Sequence, residues 1–510
     1  MTSSLSDLPV TAGAARAEGD GPFRRLILKG VTVIDGTGGP AYGPADVVIE
    51  GNRIAQVITV GNATSPTQPT EWPGYGSEDH VLDLTGQYLL PGLVDVHAHI
   101  GSAQQVPNAD YVYKLWLGHG ITSIREPGSF FNGLDFTRAE AARSRANEIT
   151  APRITPYVFF GEGRSTPIGS PKEAAEWIAG AAERDAGGVK FFGAPPEVFR
   201  AALHEARQVG LSTACHHAQQ EVARTNALTT ARWGLTSIEH FYGLPEAMYG
   251  DRTVQRYPGS YNYLDEPARF AAAGEVWTQG PEPGSPRWTD LLDELVSLGT
   301  TIDPTFTVYV GTRDAARVRT SEWHSAYTAP QLRSFYEPSP QRHGSFLSDW
   351  GTEQEVAWRR NYLRWMAFVE DYKNRGGRVT VGSDAGFVYN LYGFGTISEL
   401  ELLREAGFHP LEVIRAATLH GAELLGVGDE RGSIEPGKLA DLLVVGENPL
   451  ENLKVLYGHG HFRVSPRHDG LRTGGVRMTI KDGIVYDAGQ LRAAVREIVA
   501  DHTDRESGSA

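Results

Sequence analysis

Two hydrophobic patterns divide the chain. Residues 25–36, 45–57 and 81–90 are short runs rich in β-branched residues, and the same pattern returns at 432–445 and 476–486. Period-two alternation bounded by glycine turns predicts strands, with a hairpin about Gly51-Asn52. Between these ends, short apolar runs alternate with helical stretches. Strands are predicted at 120–125, 154–160, 188–192, 211–216, 236–240, 301–306 and 378–384, and helices at 171–186, 196–209, 397–406 and 410–425. The run after Pro91-Gly92, which ends in His97-Ala98-His99, is an eighth strand. Eight strands alternating with helices predict a closed parallel barrel. The expected fold is therefore α/β. It is a (β/α)8 TIM-type barrel with a small β-sandwich domain built from both chain ends. The expected divisions are a disordered tail over 1–22, sandwich strands over 23–90, the barrel over 91–432, the rest of the sandwich over 433–490 and a C-terminal tail over 491–510.

Composition narrows the function. A net charge of −15 argues against a nucleic-acid partner. There is no run of 18 apolar residues and no signal-peptide pattern near residue 1, so neither a membrane span nor secretion is expected. The single cysteine, Cys215, excludes an internal disulfide and fits a reducing cytoplasm. Two long stretches, 241–303 and 312–350, are rich in Tyr, Trp and Phe. Aromatic content on this scale argues against disorder. They are candidates for a functional role or for packing on themselves or on a neighbouring subunit of a homo-oligomer.

The chemistry gathers at strand ends. His97 and His99, two apart, share one face and can hold one metal ion, although two histidines in a buried strand are as often core residues. Lys190, His216, His240 and Asp384 also close predicted strands, at the barrel end where active sites form. Six metal-capable groups around one rim are hard to explain by chance.

These segments resemble the amidohydrolase superfamily, in its imidazolonepropionase-like and prolidase-like branch. The resemblance rests on Leu90-Pro91-Gly92-Leu93-Val94-Asp95-Val96-His97-Ala98-His99, Gly188-Val189-Lys190, Thr213-Ala214-Cys215-His216, Ser237-Ile238-Glu239-His240, Gly382-Ser383-Asp384 and the stretch from Gly432 to Asp441. It implies two divalent metal ions, zinc by expectation, at a binuclear centre. His97, His99 and Asp384 would hold the buried ion, and His216 and His240 the outer one. Lys190, carboxylated by carbon dioxide to a carbamate, would bridge them. A metal-bridging hydroxide would attack the carbonyl of an amide or peptide-like C–N bond in a small-molecule substrate. Asp384 would be the catalytic residue, passing the proton to the leaving nitrogen. Alternatives on the same barrel are a lactone or phosphotriester hydrolase and a deaminase, and Lys190 argues against a mononuclear deaminase. His217, beside His216, is expected to face away from the metals. Ala218 and Phe241 depart from the dipeptidase pattern. The pattern assigns no substrate-binding residue and no role to Glu126.

Overall fold

The computed structural model describes residues 10–59, 61–62, 64–67, 72–129, 131–340, 343–464 and 470–508. Seven parallel strands form one sheet in chain order: Leu93–Asp95, Ile121–Gly128, Arg153–Phe159, Gly188–Phe191, Ser212–His216, Ser237–Glu239 and Thr301–Asp303. Parallel strands need helical crossovers, and the intervening helices supply them. Ala109–Leu117, Pro171–Glu183 and Pro196–Gln208 are three of these; Asn108 caps the first and Ser170 the second. The strand Ile121–Gly128 is buried at every position, as a sheet covered on both faces requires.

Residues 378–384, expected as the eighth strand, make backbone bonds to both edges of this sheet. Ile302 N–H donates to Arg378 O (3.0 Å), Thr380 N–H to Ile302 O (3.1 Å) and Val96 N–H to Val381 O (2.9 Å). Only an isolated bridge, Ile302 to Val379, marks the segment as β. Gly382 explains the irregularity: a Cβ there would lie 2.3 Å from Asp303 Oδ2 and 2.6 Å from His97 Cβ. The chain passes too close to its neighbours for a side chain, and glycine permits it.

A second sheet unites the two chain ends. Its order is Ile484–Asp487, Val476–Lys481, Leu442–Val445, Tyr88–Pro91, Arg25–Val33, Tyr42–Glu50 and Arg53–Thr59, with His80–Asp83 also paired to Arg25–Val33. The hairpin about Gly51-Asn52 is present, with Glu50 opposite Arg53. Arg153 anchors the two sheets to each other, reaching Asp441 and Asp482 at 2.7 Å each.

Three expectations about irregular segments change. Residues 10–22 are not a loose tail: Val10 is buried, its N–H donates to Asn132 Oδ1 (2.9 Å), and Ala15 and Asp20 bridge to Ile149 and Val485. Residues 1–9 lie outside the described residues. The C-terminal tail, expected as a polar helix or disordered, is the helix Ala488–Gly508, and its Leu491 and Val495 are fully buried. The region 410–425 is two helices, Pro410–Ala416 and Leu419–Leu424. The aromatic stretches are folded, containing helices such as Glu266–Ala273, Pro286–Ser297 and Pro330–Tyr336, with Trp277, Trp288 and Tyr336 in the core.

Candidate metal centre

All seven parallel strands point their C-terminal ends at one rim, and the chemistry lies just beyond those ends. Asp95, fully buried, sets the local backbone. Its carboxylate accepts from His97 N–H (3.1 Å), Ser383 N–H (3.0 Å) and Thr396 Oγ1 (2.7 Å). It therefore ties the first strand of the sheet to the segment carrying Asp384. Burial pushes its carboxyl pKa up, against those hydrogen bonds.

Three imidazoles converge on Asp384. His97 Nδ1 lies 2.6 Å from Glu239 Oε2, and its Nε2 is 3.8 Å from Asp384 Oδ1. His99 Nδ1 lies 2.8 Å from Glu126 Oε1, and its Nε2 is 3.3 Å from Asp384 Oδ1. His240 Nδ1 bonds the Thr305 hydroxyl, and its Nε2 is 3.9 Å from Asp384 Oδ2. The Thr305 hydroxyl donates to Pro304 O (2.7 Å), so toward His240 it accepts. The Glu126 carboxylate and an accepting hydroxyl hold His99 and His240 through Nδ1, and Glu239 stands close against His97 Nδ1. All three Nε2 atoms then face the same carboxylate. Tying one ring nitrogen to orient the other is how proteins prepare metal-ligating histidines.

Burial and the Lys190 charge pull the His97 pKa down to about 4. Burial also opposes protonation of His99, but Glu126 and Asp384 outweigh it and raise the pKa to about 9. Burial dominates at His216 and His240, with a neighbouring imidazole adding to it, and both stay well below the usual range. Asp384, despite burial, is held well below the usual carboxylate range by His97 and His99. Asp384, His240 and Thr305 all have positive φ, at 49°, 64° and 50°. Such conformations cost about 1–3 kcal/mol each and persist where the surroundings impose them.

Of the six residues singled out in the sequence, the structure gathers four tightly. Donor atoms of His97, His99 and Asp384 lie within 4.8 Å of one another, and His240 faces the same carboxylate. His216 stands on the flank, its ring 4.6 Å from His240 and stacked 5.4 Å from Tyr242. Lys190 is buried, and its amine has no hydrogen-bond partner among the described residues. Burial lowers its pKa, favouring the uncharged amine. An orphaned buried amine beside several imidazoles and an ionised carboxylate is a donor set that fits divalent ions. His217 turns away and bonds Thr230 Oγ1 at 2.8 Å.

A second acidic group, Glu239 and Asp303 with His97, sits behind the first. Arg125, fully buried, reaches both Glu239 oxygens (2.8 and 2.7 Å) and Ser237 Oγ (3.0 Å). Burial opposes ionisation of both acids. Arg125 and Lys190 outweigh it at Glu239, whose pKa is depressed, whereas burial and the Glu239 charge drive that of Asp303 upward. This group is committed to Arg125 and His97 and acts by positioning His97. Glu126 also gains a role, since it orients His99 while accepting from Ile100 N–H at 2.6 Å. An acid directly preceding His240 was the available signal for Glu239. Strict alternation would point it away from the histidine, and the positive φ of His240 breaks that alternation.

Aromatic rings surround the rim. Phe131 and Phe387 stand 6.5 and 6.2 Å from His99, and Tyr309 is 5.6 Å from His240.

Comparison with known proteins accords with this geometry. Residues 364–485 match the model of the amidohydrolase family. Adenine deaminase 2 of Rhizobium etli is 35% identical over 146 residues, covering 28% of this chain and 22% of that protein. The chain thus spans about a fifth of the length of this curated relative. Among solved structures, a Xaa-Pro dipeptidase with bound methionine in its active site superposes with a TM-score of 0.59 at 20% identity, covering 91% of this chain and 100% of that one. Bottromycin amidohydrolase gives a TM-score of 0.62 at 20% identity, covering 92% and 91%. These two establish likeness of fold. The resemblance to the amidohydrolase superfamily read from the sequence is borne out.

Proposed function

We propose that this chain, with its amidohydrolase-like fold, is a metal-dependent hydrolase of C–N bonds acting on an amide or peptide-like small molecule. One observation carries the reading. Three histidines, each met at Nδ1 by Glu239, Glu126 or Thr305, turn Nε2 toward the Asp384 carboxylate. A structural cluster would have no need for three imidazoles turned on one buried carboxylate.

His97, His99 and Asp384 would hold one divalent ion, and His216 and His240 a second, both zinc in this reading. Lys190, buried and without a hydrogen-bond partner, would carry carbon dioxide as a carbamate between them. Ions held there supply Lewis acidity and lower the pKa of water towards neutrality. The chain's own contribution is positional. Glu126 and Glu239 hold His99 and His97 in place, Asp384 takes a proton from water and returns it to the leaving nitrogen, and Phe131 and Phe387 limit solvent around His99. The bonds from residues 378–381 to both sheet edges support a closed eight-membered barrel. A β-sandwich from both chain ends, the domain limits at 22, 90, 432 and 490, a cytoplasmic location and a homo-oligomer remain part of the proposal. Among the described residues, no helix is long and apolar enough to cross a membrane.

The named activity of the Rhizobium etli relative supports a second reading, a deaminase on the same scaffold. Lys190 favours the first, because a single-ion deaminase has no use for a buried lysine amine without a hydrogen-bond partner in that place. Product analysis separates them. Metal-loaded protein would be incubated with N-acyl amino acids, dipeptides, cyclic amides, lactones, phosphotriesters and adenine. Release of a carboxylate and an amine supports the amide reading, ammonia from adenine supports the deaminase, and hydrolysis of the esters alone overturns both.

A further inference from the structure

We propose that Arg269 binds a carboxylate of the substrate, so that the molecule cleaved is an N-acyl amino acid or a similar peptide-like acid. This inference rests on the C–N hydrolase reading and narrows it. Arg269 belongs to the helix Glu266–Ala273, inside the long stretch between His240 and the strand Thr301–Asp303. It is only 9% exposed, so its charge is held out of bulk water. Its guanidinium carbon lies 4.8 Å from the ring centres of both Tyr263 and Phe270. Seating against two rings fixes a long side chain in advance of any ligand.

The guanidinium carries five N–H groups. Among the described residues its recorded ion partner is Glu266, at 2.7 Å. That carboxylate is shared with His343 Nδ1 at 2.9 Å. A buried arginine is suited to a planar anion, which it can grip through two parallel bonds.

Its place in the site makes the anion part of a substrate. Phe270 stands 6.3 Å from the Tyr309 ring, and Tyr309 stands 5.6 Å from His240. Tyr242, stacked on His216, is 6.5 Å from Tyr309. The cation therefore lies on the His240 side of the rim, and His343 joins its helix to the Phe387 ring near His99. An apolar side chain would lie among the rings while the carboxylate meets Arg269.

The test compares N-acetyl-L-phenylalanine with N-acetyl-L-phenylalaninamide, on the wild-type protein and on Arg269→Gln and Arg269→Lys. Two quantities are read: the ratio of kcat/KM for acid over amide, and the rise in Tm that each compound produces. Loss of a charge-assisted pair should reduce the acid preference about 10- to 100-fold in Arg269→Gln, chiefly through KM, with Arg269→Lys between. The larger Tm rise with the acid should vanish in Arg269→Gln. Equal losses on both compounds, or an undiminished acid preference, would overturn the assignment. Acid-selective binding that depends on Arg269, without hydrolysis of either compound, would sustain Arg269 and count against the hydrolase reading. If Arg269→Gln does not fold, Arg269→Lys decides by the same ratio.

Discussion

Glu126 holds His99 in place: one carboxylate oxygen lies 2.8 Å from His99 Nδ1, and the other accepts from Ile100 N–H at 2.6 Å. The two bonds fix the ring and the backbone beside it together. Glu126→Gln keeps the size but can present its amide to the ring the wrong way round and removes the charge that favours Nδ1–H. Metal affinity should fall about 10- to 100-fold with the fold retained. Titration against a chelator, with far-UV circular dichroism alongside, checks this; unaltered affinity would reduce Glu126 to a backbone cap.

Asp384 is where ligand and proton carrier coincide. Asp384→Asn keeps one oxygen donor and the shape but cannot shuttle a proton. It should retain part of the metal while kcat drops by at least ~10²-fold. Full occupancy with near-normal kcat would leave Asp384 as at most a ligand.

Lys190 tests the binuclear proposal. The purified protein should hold about two divalent ions per chain, and Lys190→Ala about one or fewer, with most activity gone. Elemental analysis of both proteins, and intact mass or a density map for atoms added to the amine, give the answer. Two ions retained without Lys190 would remove the bridge.

The seam between the sheets sets an acid limit. Against their burial, Arg153 depresses the pKa of Asp441 and Asp482. A depressed folded value gives stability that is present above the unfolded value of about 3.9 and lost as pH falls through the folded one. At pH 7, Arg153→Ala leaves Asp441 buried without its partner, a change that costs about 3–5 kcal/mol. The Tm gap between wild type and variant should be widest near neutrality and narrow as pH falls below about 4. A gap that widens with acid would contradict the sign.

Much of the site was readable because its residues close strands. His97, His99, His240 and Asp384 each follow an apolar run, and parallel topology brings such ends together. Arg125, Glu239 and Asp303 were not readable in this way. Their partnership depends on the left-handed turns at His240 and Thr305, which local patterns do not announce. Residues 10–22 look like a polar tail because what orders them is a set of distant partners, Asn132, Ile149 and Val485. Likewise the sparse apolar positions of Ala488–Gly508 give a weak periodic signal, yet Leu491 and Val495 are fully covered.

The strand Tyr88–Pro91 leads within a few residues to His97, and its neighbours in the sheet are Arg25–Val33 on one side and Leu442–Val445 on the other. One neighbour emerges from the ribosome before it, the other some hundreds of residues later. N-terminal segments fold first during synthesis, and contacts this distant in sequence form slowly. The strand leading to the first two histidines therefore waits, paired on one side, for Leu442–Val445. A nascent chain stalled before Leu442 would have made every one of the six candidate ligands and still lack one of the two strands that flank Tyr88–Pro91.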